Sequence, residues 1–245
     1  MTSNLEGLAG PPQPDTEGGP RRALVVAAHP DDADFGAAGT AYLWTQAGWE
    51  FYYLVCTNGS KGSDDASLTQ AQLISLRREE QRLAAAHLGG KDVFFLDNED
   101  GELQPSRQLL GEVVRCIREV QPYAVFTHDP EALIVRDSFV NHSDHRVTGV
   151  AAVDAVYPAA RDRLNFPEQI AAGLPTHKVR EIYIWGSERA NFDVDITDVI
   201  ERKVEALLLH KTQFKDQGFI RMALARWQTA EGRYVESFRR VQLSF

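Results

Sequence analysis

Cysteine is scarce in this chain: Cys56 and Cys116 are the only two among 245 residues. One falls in a strand-like segment and the other in a helix-like one. Two such thiols make no disulfide framework and fit a reducing cytoplasm. Excess positive charge is missing as well. Lys and Arg number 26 against 35 Asp and Glu, a net charge of −9, which argues against a broad nucleic-acid or anionic-membrane surface. No apolar run approaches the roughly 20 residues of a membrane-spanning helix. The first 20 residues lack the basic region and apolar core of a signal peptide, and the chain shows no internal repeat.

What is present is ordinary for a soluble globular protein, 43% hydrophobic and 25% charged, and long enough to bury one sizeable core. Residues 1–20 hold four of the eleven prolines and four glycines, and read as a flexible tail. Residues 21–245 read as a single domain. Strand-like runs at 23–28, 51–57, 92–97 and 123–127 alternate with helical segments ending near 47, spanning 68–88 with an apolar stripe of Leu73, Leu76, Leu83 and Ala84, and spanning 106–120. This rhythm is the βαβ signature of an α/β fold with a mostly parallel sheet and helices on its faces. Beyond it come a helix over 147–157, a loop or insertion over 158–180, short strands at 181–185 and 192–196, and a helix from Asp198 to about His210. The signals weaken after Gln213.

One stretch organises the rest, Leu24-Val-Val-Ala-Ala-His-Pro-Asp-Asp-Ala-Asp34. An uncharged run suits a strand buried on both faces, and Pro30 ends it. The turn that follows carries His29, Asp31 and Asp32 to the carboxyl edge of the sheet, where open α/β sheets bind ligands. Two further polar loops, 58–65 and 98–102, empty at the same edge, as does the segment Asn141-His-Ser-Asp-His-Arg146. His29, Asp32 and one of His142 and His145 can make a two-histidine, one-carboxylate metal site. That donor set suits Zn²⁺ with a position left open, and equally the facial triad of non-haem iron enzymes. His128, closing the fourth strand, is a further candidate for the same cleft. The competing reading of the Asp-rich turn is a simple helix N-cap, and that of Arg77-Arg-Glu-Glu80 a solvated helix face.

His29-Pro-Asp-Asp32 with Gly36 and Gly39-Thr40, followed by His142-Ser-Asp-His145-Arg146, resembles the LmbE-like, PIG-L type N-acetylglucosaminyl de-N-acetylases. Supporting matches are Thr57-Asn-Gly-Ser-Lys-Gly62, Arg77-x-x-Glu80, Asp100-Gly-Glu-Leu103 and His210-Lys-Thr-Gln213. The resemblance implies a Rossmann-like fold, a divalent metal (Zn²⁺, with Fe²⁺ or another ion as alternative) and hydrolysis of an N-acetyl amide on an amino sugar. It assigns His29, Asp32 and His145 as ligands and Asp31 as general base. His142 becomes the group stabilising the oxyanion, oriented by Asp144, and Arg77 a contact to the polar substrate. Asp97 and Asp100, bordering the carboxyl edge, join Arg77 as candidates for sugar hydroxyls. Ala33 stands where relatives often have Glu, and Ser143 where they often have Pro; neither change touches a ligand.

The chemistry agrees with this division of labour. A divalent ion lowers the pKa of water toward about 7, an uncoordinated carboxylate can take its proton, and a donor such as protonated His142 can meet the charge growing on the carbonyl oxygen. Two other readings stand beside it. One is a non-haem iron enzyme doing oxidative chemistry. The other is a non-catalytic Rossmann-like module binding a sugar or nucleotide, against which the first turn offers no G-x-G-x-x-G and too many carboxylates for a pyrophosphate. The expected partner is a small amino-sugar substrate, and an assembly of like chains is left open.

Overall fold

Five parallel strands run through the middle of the molecule in the order β3-β2-β1-β4-β7, and β9, antiparallel to β7, and β8, antiparallel to β9, complete a seven-stranded sheet. The strands are β1 (Arg22–Ala27), β2 (Glu50–Thr57), β3 (Asp92–Asn98), β4 (Ala124–His128), β7 (Glu181–Trp185), β8 (Phe192–Asp195) and β9 (Val235–Gln242). A separate two-stranded hairpin joins β5 (Ile134–Val135) to β6 (Phe139–Val140). The computed structural model describes residues 10–12, 21–214 and 217–244. The tail expected over residues 1–20 therefore falls mostly outside the described residues. No helix among them is long and apolar enough to cross a membrane.

The expected alternation is present, and the sheet is filled on both faces. Leu24 and Val26 of β1 point into one core with Leu54, Val125, Ile182 and the inner faces of α3 (Arg107–Val120) and α4 (Ser143–Asp154). Ala23, Val25 and Ala27 point into the other, with Phe51, Phe126, Tyr183 and Trp44 of α1 (Asp32–Gln46). A strand that is apolar on both sides from Ala23 to Ala27 is what such a sandwich of helices requires. Full burial of one large apolar side chain such as Phe126 is worth roughly 1.5–3 kcal/mol. The chain winds outward from β1 to β3, then returns past β1 to β4, so β1 and β4 flank the point where the winding reverses. Ligand crevices of open α/β sheets form there.

Several boundaries differ from expectation for physical reasons. Helix α4 begins at Ser143, with His142 as N-cap, so the histidine motif forms the first turn of the helix and does not merely precede it. The segment 158–180 contains a short helix, α5 (Pro167–Ala171). Helix α2 (Gln70–His87) opens with a reciprocal capping box between Thr69 and Gln72. Its expected apolar stripe is only half right, because Leu76 and Leu83 are exposed. The buried face carries Leu73, Arg77, Glu80, Gln81, Ala84 and Ala85. Beyond α6 (Ile200–Leu208), α7 (Gln217–Leu224) and β9 lie where the sequence signals fade.

Helix α1 is interrupted at Ala37 (φ −148°, ψ 15°), and two buried side chains seal the break. Glu236 of β9 accepts from the Gly39 and Thr40 amides at 2.9 and 2.8 Å and from the Thr40 hydroxyl at 2.6 Å. Lys203 of α6 donates to the Phe35 carbonyl at 2.7 Å and to Glu236 at 2.6 Å. The carboxylate thus caps the second half of the helix while the ammonium caps the first.

Candidate active site

The turn after β1 is built tightly. The Asp32 carboxylate accepts from the His29 amide at 2.7 Å, and the amides of Asp34 and Phe35 close back on the Asp31 carbonyl. Asp31 itself sits at φ 103°, ψ −31°, a conformation a side-chain-bearing residue adopts only under constraint. Helix α2 supplies that constraint from one turn apart. Gln81 accepts from the Asp31 amide at 2.9 Å. Arg77 donates to the Pro30 carbonyl at 2.7 Å, the Gly59 carbonyl at 2.9 Å and the Asp31 carboxylate at 3.3 Å. Gln81 also donates to Asp34, against which His210 lies at 2.7 Å.

The second limb comes from the far side of the sheet's switch point. Gly149 in α4 lets the helix lie against the end of β4, since a Cβ there would stand 2.6 Å from the His128 carbonyl oxygen. This brings His142, Asp144 and His145 over β1. His145 Nε2 lies 3.1 Å from Asp32 Oδ1, and His29 Nδ1 lies 3.1 Å from Asp32 Oδ2. One donor atom from each of His29, Asp32 and His145 falls within 4.8 Å of the other two. Asp100, buried behind them, stands 3.1 Å from His29 Nε2, and Asp144 stands 3.2 Å from the same atom.

Asp144 is fully buried, and its carboxylate accepts from the Gly101 and Leu103 amides. Its link to His142 runs through the backbone, the Asp144 amide donating to His142 Nδ1 at 3.1 Å. The His142 ring stands edge-on to His29 with centroids 4.6 Å apart. His128 stacks on His145 at 4.2 Å, receives the Trp185 indole N–H at 3.2 Å, and lies 3.4 Å from Asp32.

The electrostatics follow from this crowding. Burial drives the Asp31 carboxyl up to about 6 against the pull of Arg77. Asp100 is held down to about 2, burial being outweighed by His29, the Lys61 amide and Arg77. Burial and the neighbouring His145 push His128 down to about 4. His29 is dragged down by burial yet ends well above its ordinary value, because Asp32, Asp100 and Asp144 surround it. Four carboxylates thus converge, and among the described residues Arg77 is the one Lys or Arg side chain paired with them. A cation held by two imidazoles and a carboxylate fits both this charge imbalance and the donor geometry.

The structure gathers His29, Asp31, Asp32, Arg77, Asp100, His142, Asp144 and His145. Asp97 stands apart: its carboxylate is exposed and paired with Arg78. Arg77 is buried, its fork spent on the turn. Sequence reasoning left out Gln81, Asn141 and Trp185. The signal for Gln81 was its place four residues after Arg77 and eight after Leu73, on the face that proves to be buried.

Fold and site together define an α/β protein with a two-histidine, one-carboxylate cluster, of a kind that can hold a metal ion, at a sheet switch point. The GlcNAc-PI de-N-acetylase family model, PIG-L, matches residues 24–156, and the chain belongs to that family. It is 33% identical over 196 residues to diacetylchitobiose deacetylase of Thermococcus kodakarensis, covering 80% of this chain and 71% of the relative. The solved structure of N,N'-diacetylchitobiose deacetylase from Pyrococcus horikoshii superposes with a TM-score of 0.83 at 30% identity, covering 91% of this chain and 84% of that one. A relative of different chemistry is 4-oxalmesaconate hydratase of Pseudomonas putida, 26% identical over 76% of this chain and 72% of its own length.

Proposed function

We propose that this chain removes the acetyl group from an N-acetylglucosamine-type sugar or a small conjugate of one, by metal-dependent hydrolysis. The observation that carries the reading is the meeting of His29, Asp32 and His145 around one point, with Asp31 beside them and outside the ligand set. We take the resident ion to be Zn²⁺, which suits two imidazoles and a carboxylate; Fe²⁺ shares that donor set. When bound, the ion polarises the amide carbonyl and makes water nucleophilic near neutral pH.

The chain's own groups do the rest. Asp31, with its carboxyl raised to about 6, is ionised at neutral pH and close enough to neutrality to take a proton and return it to the departing amine. His142 accepts at Nδ1 from the Asp144 amide, which leaves Nε2 as the N–H donor available to the carbonyl oxygen. Arg77 and Gln81 hold Asp31 in place. Asp144 and Asp100 fix the His29 ring from its far nitrogen, as partners of metal-bound imidazoles do.

Sugar hydroxyls are to be met by the loops at 58–67, 97–104 and 130–141, and a polar cleft of about 260 Å³ lined by Ser60, Ser63, Asp65 and Thr69 opens on the first of them. Cys56 and Cys116 are free and buried, in keeping with a reducing cytoplasm. We assign the activity to the domain spanning 21–245.

The test is acetate release from N-acetylglucosamine and N,N'-diacetylchitobiose by metal-loaded protein, run beside metal analysis. Stoichiometric metal with acetate release supports the reading. Bound metal with no acetate from any N-acetylated sugar, but water addition to an unsaturated carboxylate, would assign the site to hydration instead.

A further inference from the structure

Asn141 stands between the β5–β6 hairpin and the helix that carries the histidine motif. Its backbone amide donates to the Leu133 carbonyl at 2.9 Å, and its side-chain Nδ2 donates to the Ala132 carbonyl at 2.8 Å. A carbonyl oxygen can only accept, so the amide nitrogen must face Ala132. That turns Oδ1 toward His145, 3.0 Å from Nδ1. Oδ1 also can only accept, so His145 Nδ1 must carry the ring proton. Nε2 is left facing Asp32, with its lone pair free for a cation. The Arg146 guanidinium holds the Asn141 carbonyl at 2.6 Å and keeps the residue from turning.

We propose that Asn141 is a positioning residue that couples the β5–β6 hairpin to the metal ligand His145, so that hairpin order and metal affinity rise together. The inference rests on the reading of His29, Asp32 and His145 as the metal site. One end of a single amide reads a hairpin carbonyl and the other sets the ligand's tautomer. The hairpin hangs between His128 and His142 and exposes Leu133, Ile134, Phe139 and Val140, the last at 72%. A segment this exposed keeps few tertiary contacts of its own and depends on its anchors for order. The amide of Arg136, bonded to Glu188 at 2.8 Å, is one anchor, and the Glu131 carboxylate, paired with Arg189 and Arg239, is another; Asn141 is the anchor joined to the metal site.

The two ends of the amide can be separated by substitution. Asn141→Ala removes both bonds. Asn141→Asp keeps the acceptor facing His145 and removes the donor to Ala132. Metal affinity is read by competition with a chromophoric chelator on the full chain, and hairpin order by hydrogen exchange of residues 133–141 with and without Zn²⁺. Asn141→Ala should bind Zn²⁺ about 10–100-fold more weakly, the usual effect of removing a partner of a metal-bound imidazole. In the wild type Zn²⁺ should slow hairpin exchange, and in Asn141→Ala it should not. Asn141→Asp should keep Zn²⁺ affinity near that of the wild type while its hairpin exchanges as fast as in the alanine variant. The absorption bands of the Co²⁺-loaded protein should shift in Asn141→Ala and stay in Asn141→Asp.

Wild-type affinity in Asn141→Ala, or equal hairpin protection by Zn²⁺ in both proteins, overturns the coupling. If the alanine variant does not fold, the aspartate variant decides: loss of metal affinity there overturns it as well. A wild-type chain that binds no metal overturns the functional reading and this inference with it.

Discussion

At Asp31 the chain accepts strain where it wants chemistry. A side-chain-bearing residue at φ 103° costs on the order of 1–3 kcal/mol, and Arg77 and Gln81 hold it there. Asp31→Gly should therefore be more stable than Asp31→Ala by about 1–2 kcal/mol, read from urea denaturation of the two metal-free proteins; equal midpoints would show that the backbone is at ease. Asp31→Asn should keep the metal and lose roughly 10²–10⁴ in turnover, the contribution of a positioned base. Asp32→Ala should lose metal and activity together. Metal retained in Asp32→Ala but lost in Asp31→Asn would reverse the two assignments. The ligand candidates were legible because their chemistry is local: His29 and Asp32 share one turn, His142 and His145 another. Gln81 and the burial of Arg77 were not, because Leu76 and Leu83 suggested a different inner face for α2. Which face of a helix packs inward is decided by its neighbours, here the 30–31 turn and the loop at Gly59.

Among the elements, the broken helix α1 depends on two distant side chains. Lys203 and Glu236 are wholly buried, so removing either leaves a charge without its partner. Each of Lys203→Met and Glu236→Gln should cost about 3–5 kcal/mol. Together they should cost less than the sum, because the double variant strands no charge. A double-mutant cycle by urea denaturation measures this, and strict additivity would mean the two do not act as a pair. The first four strands could be read from the sequence because each is a short apolar run between helices. Strand β9 could not. Arg239 and Arg240 interrupt its apolar alternation, and its partners, β7 and β8, lie roughly forty to sixty residues upstream with other structure between them.

At the scale of the whole molecule, a buried pair behind the candidate active site makes stability depend on pH. His210 and Asp34 are fully buried and 2.7 Å apart. Burial lowers the imidazole's pKa, but Asp34 with Asp31 and Glu80 raises it above the ordinary 6.5. A folded-state value above the unfolded one means the pair's stabilisation is complete below about 6.5 and fades as pH climbs through the raised value. The difference in melting temperature between the wild type and His210→Gln should thus be largest on the acid side and shrink toward alkaline pH. A difference independent of pH would mean that His210 is held by packing alone.

Strand β9 also imposes an order in time. It lies between β7 and β8, and its Glu236 seals the helix that follows the His-Pro-Asp-Asp turn. During synthesis β8 emerges before the strand it must pair with, so β7 keeps a bare edge until residue 242 has left the ribosome. A nascent chain therefore holds all of the proposed metal ligands long before it can lock them. A product cut short before β9 would carry both histidine motifs on an unfinished sheet, its open edge exposed to other chains.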